Sequence, residues 1–299
     1  MIRIMGRKCI VCGAPIYDDG KCEYCGKYIG KSKSEDHEDV SDGTSKLSTS
    51  KNWVLISIYI AGMVFLPVVI AILIAIFSGN EVDQFQGDGF FNVLTLTNFI
   101  TYAILCIAML LLTLKVFKHD FKKINLWGRF YLQMLVGVLC TFGAAIAGNM
   151  IVMTLGTTEV AMNQELIESA LATMPVVMII TIVLFAPIVE EIIFRLVLMN
   201  LIKWKVYVPQ ESDTRFIRTL KEVFSWKPVY SLILSSLIFG LIHVLVGGLI
   251  HIIPYFLMGL VFGYFYLRNK NIWHVTVLHI LHNGLTVVLM FVVQNVYMY

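Results

Sequence analysis

The chain reads as an all-α polytopic membrane protein, and three observations carry that reading. Of its 299 residues 58% are hydrophobic and 14% charged, with a mean hydropathy of +0.78; soluble domains run near half apolar and a quarter charged. The apolar residues gather in seven blocks, at 53–77, 91–114, 130–155, 174–202, 229–246, 249–267 and 272–297, close to the roughly 20 residues that a bilayer-crossing helix needs. Between the blocks, loops rich in Lys and Arg alternate with loops that have none.

At the N-terminus, "MIRIMGRKCIVCG" has no apolar run of the kind a signal peptide carries, so the block at 53–77 is expected to stay as an anchor. Residues 1–28 hold Cys9-x2-Cys12 and Cys22-x2-Cys25, each pair followed by a glycine, Gly13 or Gly26. Four thiolates in two close pairs suit a tetrahedral structural zinc site. The nine residues between the pairs are fewer than the usual spacing, which predicts a shortened zinc-ribbon-like module. Two disulfides are the rival reading, disfavoured on a cytosolic side. Metal binding of about 10–16 kcal/mol could hold so short a segment together, and metal content of the purified chain tests the expectation. Residues 29–51 are polar, rich in Ser and charge, and read as a flexible linker. The remainder, 52–299, is the membrane bundle. Cys106 and Cys140 lie in apolar blocks and are expected to pack as small hydrophobes.

The loops set the expected orientation. The stretch 78–90 has Glu81, Asp83 and Asp88 and no Lys or Arg; the next loop has Lys115, Lys118, Lys122, Lys123 and Arg129. The one after that has Glu159, Glu165 and Glu168, and the next has Lys203, Lys205, Arg215, Arg218, Lys221 and Lys227. Arg268 and Lys270 precede the last block. The positive-inside rule then puts the N-terminus in the cytoplasm and the C-terminus outside. The net charge of +3 follows from this topology, with no nucleic-acid partner implied.

Within the apolar blocks a few polar residues stand out. A charge at the bilayer centre costs roughly 2.5–3.5 kcal/mol on insertion scales, so such residues face the bundle interior and find partners. In "APIVEEIIFR", Glu191 and Arg195 are four apart with the acid first, the better order for a helical ion pair. Glu190 is rotated by about 100° and has no basic residue three or four positions away. Pro187 removes a backbone donor and is expected to free the carbonyl of Val183 and open the helix beside the glutamates. Further along, "IFGLIHV" sets Phe239 one turn before His243, with Gly240 allowing close helix approach. Gly259 and Gly263 give the block at 249–267 a similar small-residue face. His279 and Asn283 share a face in "HILHN", and His282 lies close to that face. His251 and His274 read as packing residues.

These motifs resemble those of the CPBP family of intramembrane proteases, whose eukaryotic members are the type II CAAX prenyl endopeptidases. "EEIIFR" is similar to EExxxR, "FGLIH" to FxxxH and "HILHN" to HxxxN, in the same order and at similar wide spacing, over about 130–297. The resemblance implies a protease core there, hydrolysing a peptide bond of a membrane-associated or lipid-modified substrate with an activated water. Residue by residue, it implies catalytic roles for Glu190, Glu191, His243, His279 and Asn283, with Arg195 and Phe239 in support. Glu190 would be the base, His243 would hold the water, and His279 and Asn283 would donate to the oxyanion. A metal-dependent and a metal-free version both remain open, since two histidines and a glutamate can ligate zinc but no H-E-x-x-H is present. The four-cysteine head departs from the simplest members. A non-proteolytic scaffold or receptor, whose cytosolic zinc module recruits a protein partner, is the alternative. A proton-coupled transporter is disfavoured because no internal repeat is found. The head-plus-tether organisation suggests a bacterial cell membrane.

Overall fold

A computed structural model of the chain describes residues 47–77, 88–124, 128–157, 161–201, 227–245 and 247–297. The four cysteines of the expected zinc module, and most of the linker, lie outside them. The described residues form an all-α polytopic membrane protein: α1 (Thr49–Phe77), α2 (Asp88–Phe121), α3 (Arg129–Thr154), α4 (Met162–Thr173), α5 (Pro175–Leu201), α6 (Lys227–His243), α7 (Ile252–Asn269) and α8 (Ile272–Tyr297). One 3₁₀ turn, Leu249–His251, leads into α7.

Six of these are long and apolar enough to cross a bilayer. The block at 229–246 behaves differently. Its helix has 17 residues and ends at His243, so it spans about 25 Å at 1.5 Å per residue, short of the roughly 30 Å hydrocarbon core. Gly248, in the left-handed region at φ +73°, lets the chain turn there into α7. The early stop leaves His243 at a helix end within the bundle. A second difference is α4, a short helix where the sequence reading has an acidic loop containing Glu165 and Glu168.

Glycine lets α7 lie against its neighbours. A methyl group on Gly240 would sit 3.0 Å from Ile252 Cγ1 and 3.2 Å from the backbone nitrogen of Phe256, and one on Gly259 would sit 3.1 Å from Ser236 Cα. On α3, a methyl on Gly148 would collide with the backbone of Pro254. The helices thus approach with backbone nearly touching backbone, as small-residue faces permit.

The start of α8 is fastened to the end of α2. The Asp120 carboxylate accepts the Ile272 amide at 3.0 Å, and the Asn271 side-chain amide donates to the Asp120 carbonyl at 2.7 Å. Asn271 Oδ1 accepts the Trp273 amide at 2.9 Å as an N-cap, and the Trp273 indole donates to the Phe117 carbonyl at 2.8 Å. These bonds fix the rotation of α8 about two turns before His279.

Of the two cysteines read as packing residues, Cys106 is buried in the core. Cys140 is exposed, because its position on α3 faces away from the bundle.

Candidate active site

Of the described spans α5 is the most buried. It is regular at Ala186–Glu191 and widens to π-helical turns on both sides, at Ile180–Phe185 and Ile192–Leu198. Such turns cluster at functional sites because they re-aim side chains and loosen backbone bonding. The proline effect is therefore displaced from where the sequence puts it. In the wider register Ala186 donates to Thr181 O, five residues back. The carbonyl left without a donor by Pro187 is thus that of Ile182, not Val183. Asn283 of α8 supplies the missing hydrogen bond, its side-chain amide lying 2.7 Å from Ile182 O.

Glu191 and Arg195 are fully buried. Arg195 Nε lies 3.3 Å from Glu191 Oε2, an ion pair whose alignment falls short of a hydrogen bond. The guanidinium donates to Ser235 Oγ at 3.4 Å and to the Gly259 carbonyl at 3.3 Å. It also sits over the rings of Phe194, Phe239 and Phe262, 5.2–6.0 Å from their centroids, an arrangement that favours a cation. Ser235 in turn donates to the Phe194 carbonyl at 2.7 Å. Arg195 therefore ties α5 to α6 and α7.

The other oxygen of Glu191 reaches α8. Its Oε1 lies 2.8 Å from His279 Nδ1. A carboxylate beside Arg195 is an acceptor, so the His279 Nδ1 carries a proton, and in the neutral ring Nε2 presents a lone pair. On α6, His243 Nδ1 donates to the Phe239 carbonyl at 2.8 Å, and its Nε2 is likewise a lone pair. Both Nε2 atoms face Glu190 Oε2, at 3.8 Å from His279 and 4.0 Å from His243. Glu190 is buried at 6% exposure. Three acceptor atoms on three helices thus converge just beyond mutual contact, each histidine oriented by its other nitrogen. Among the described residues no group of three or more His, Cys, Asp or Glu side chains has the geometry to hold a metal ion. Lone pairs so placed can accept hydrogen bonds from a donor between them.

Every membrane residue expected at the site lies in this cluster. Glu190, His243 and His279 face one another, Glu191 and Arg195 form the support behind His279, and Asn283 is bonded to the backbone of α5. Phe239 serves twice, with its carbonyl on His243 and its ring under Arg195. The Glu190 carboxylate has no partner on its own helix, as the spacing predicts. His274 packs edge-on to Phe130 at 5.1 Å, as expected of a packing residue.

Several participants escape the sequence reading. The His279 ring is stacked on Phe262 at 4.3 Å and the His243 ring on Tyr255 at 4.7 Å. The Tyr255 hydroxyl accepts from Asn163 at 3.3 Å. A signal exists for the first two: Tyr255, Gly259, Phe262, Gly263 and Tyr266 recur at helical spacing and mark one stripe of α7. Ser235 and Asn163 leave none.

Residues 172–285, which hold all the clustered side chains, match the family described as Type II CAAX prenyl endopeptidase Rce1-like. A protein of Bacillus subtilis (strain 168) named "Putative membrane peptidase YdiL" is 26% identical over 151 residues, 50% of this chain and 52% of that protein. The chain therefore matches about half the length of that relative. No solved structure matches the chain.

Proposed function

We infer that the protein is an intramembrane endopeptidase that hydrolyses peptide bonds of membrane-associated or lipid-modified peptides. The observation that carries this reading is the convergence of the two lone-pair Nε2 atoms on the buried Glu190 carboxylate. A water bound between them donates its hydrogens to two acceptors and turns its oxygen lone pair towards a carbonyl carbon. Glu190 takes the proton as the oxygen attacks, then passes it to the leaving amine as the C–N bond breaks. His243 holds the water.

Glu191 and Arg195 act as positioning residues: Arg195 holds the carboxylate, and the carboxylate fixes the rotation and tautomer of His279. Asn283 spends one amide hydrogen on Ile182 O and keeps a second for a developing oxyanion. His279 donates to that oxyanion only as an imidazolium, since its Nδ1 proton is already given to Glu191. The similarity to the prenyl endopeptidase family and to a membrane peptidase supports the reaction class.

The test compares wild type with Glu190→Gln in whole membranes by mass spectrometry of peptide termini. Loss of a general base is expected to lower cleavage by about 10²–10⁴-fold, so a set of termini should vanish in the variant. Identical termini, with both proteins folded and expressed equally, would refute the assignment and favour a scaffold.

A further inference from the structure

The two histidines that face Glu190 are held in different ways. His279 lies inside α8, and its Nδ1 is bonded to Glu191 of another helix. His243 is the last residue of α6, so no further turn of that helix supports it. Among the described residues its one hydrogen bond, to the Phe239 carbonyl, stays within α6. Its side chain is also the more exposed, at 17% against 5% for His279. Hydrogen bonding thus ties His243 to its own helix and to no other element.

A ring makes the missing connection. Tyr255, in the first turn of α7, stacks on the His243 imidazole with centroids 4.7 Å apart and planes at 25°. Seven residues on, Phe262 stacks on His279 at 4.3 Å and 24°. Two nearly parallel stacks, about two helical turns apart on one stripe of α7, therefore set the planes of both imidazoles. The Tyr255 stack has an addition that a phenylalanine cannot make: its hydroxyl accepts from Asn163 of α4 at 3.3 Å. Gly240 gives this turn of α7 its place, since a methyl there would press on Ile252 and on the backbone nitrogen of Phe256.

Resting on the endopeptidase reading, we propose that Tyr255 is a positioning residue that sets the plane of His243, and that Asn163 anchors Tyr255. The Nε2 lone pair lies in the ring plane, so the plane decides where it points. The Nδ1 bond to Phe239 decides which way round the ring sits, and it holds only while the plane is kept. A misplacement of about 1 Å in such a group can cost about 10²-fold in rate. The side chains that hold a reacting group need locked rotamers of their own, and the Asn163 bond supplies the lock for Tyr255.

The test uses the full chain in nanodiscs of phosphatidylglycerol and needs no substrate for its first part. The seven histidines are labelled with nitrogen-15, and the His243 signal is identified by its loss in His243→Gln. At mildly alkaline pH wild type should show His243 as a single tautomer with the proton on Nδ1. Tyr255→Leu should turn this into a mixture of tautomers, whereas Tyr255→Phe should keep Nδ1 the majority site. The second part measures kcat and KM on a quenched-fluorescent peptide that spans a cleavage site lost in Glu190→Gln. Tyr255→Leu is expected to lower kcat by about 10²-fold and to leave KM within about twofold. Tyr255→Phe and Asn163→Leu should each lower kcat by about fivefold, one hydrogen bond's worth, and together no further than either alone. A single tautomer in Tyr255→Leu with kcat unchanged would overturn the proposal. So would a loss in Tyr255→Phe as large as in Tyr255→Leu, or additive losses in the Asn163 and Tyr255→Phe pair. Tyr255 also lines a cavity of about 460 Å³, and a raised KM at unchanged kcat would make it a substrate contact instead. If Tyr255→Leu does not fold, the pair of milder variants decides by the same criteria. If the tautomer responds as expected but no terminus depends on Glu190, the enzyme reading fails alone.

Discussion

α1 and α5 are both apolar, both long enough to cross a bilayer, and both contain a proline, yet they occupy opposite extremes of the fold. α1 stays α-helical through all 29 residues despite Pro67, and only 6% of its central apolar stretch is buried. α5 breaks into π-helical turns on either side of Ala186–Glu191, and 50% of its central stretch is buried. Hydrophobicity takes both into the membrane. What separates them is the set of groups that lipid cannot satisfy. Apart from Lys51 at its start, α1 carries no charge. α5 carries Glu190, Glu191 and Arg195 and a carbonyl without its amide, and other helices must supply the partners. The interior helix is thus chosen by its polar residues, and the neighbours gather around them.

That contrast can be broken at three points. The largest effect is expected from Arg195→Met, which leaves Glu191 buried without its cation. Breaking a buried pair in this way costs about 3–5 kcal/mol, read as earlier loss of the folded peak on heating in size-exclusion chromatography. A lipid-facing change on α1 such as Phe65→Leu should stay within about 0.5 kcal/mol. Equal effects at the two sites would mean that the ion pair does not organise the bundle.

The next effect comes from Asn283→Leu. It leaves Ile182 O unpaired at a cost of about 1–3 kcal/mol, and hydrogen exchange should rise at Ile180–Phe185 more than elsewhere. The double change Pro187→Ala with Asn283→Leu should recover part of the loss, because Ala restores an amide at the missing donor. No recovery would show that the proline does not create the acceptor that Asn283 meets.

Asp120→Ala, at the junction of α2 with α8, has the smallest expected effect. It removes the acceptor of the Ile272 amide, worth about 1 kcal/mol as a helix cap, and loosens the rotation of α8 that aims His279. Faster exchange at the first turn of α8 with a modest drop in cleavage is expected. An unchanged exchange rate there would assign the aiming of His279 to Glu191 alone.

Much of the site can be read along the chain, because the chemistry sits in helices and helical spacing is regular. Glu191 and Arg195, Phe239 and His243, and His279 and Asn283 are each four residues apart, so each pair shares a face before any tertiary contact is known. Other features resist such reading. The π turns shift the orphaned carbonyl from Val183 to Ile182, and nothing in the i to i−4 rule announces a change of register. The motif places His279 one turn before Asn283, but it does not announce that Glu191 on another helix accepts the His279 Nδ1–H. The block at 229–246 looks like a full span, and its helix stops at His243, where loop geometry decides.

The sequence by itself determined an all-α membrane bundle, its apolar blocks and the side chains that lipid would not tolerate, because bilayer thickness and the cost of burying charge act on composition and spacing alone. Only the tertiary structure decided which partner each polar group takes: Glu191 with His279 as well as Arg195, Asn283 with the backbone of α5, and Glu190 facing two histidine nitrogens. Those choices depend on distances between helices far apart in the chain. The distances are set by backbone approach at Gly148, Gly240 and Gly259; the pattern within a helix marks a small-residue face, but it does not say which helix will lie against it.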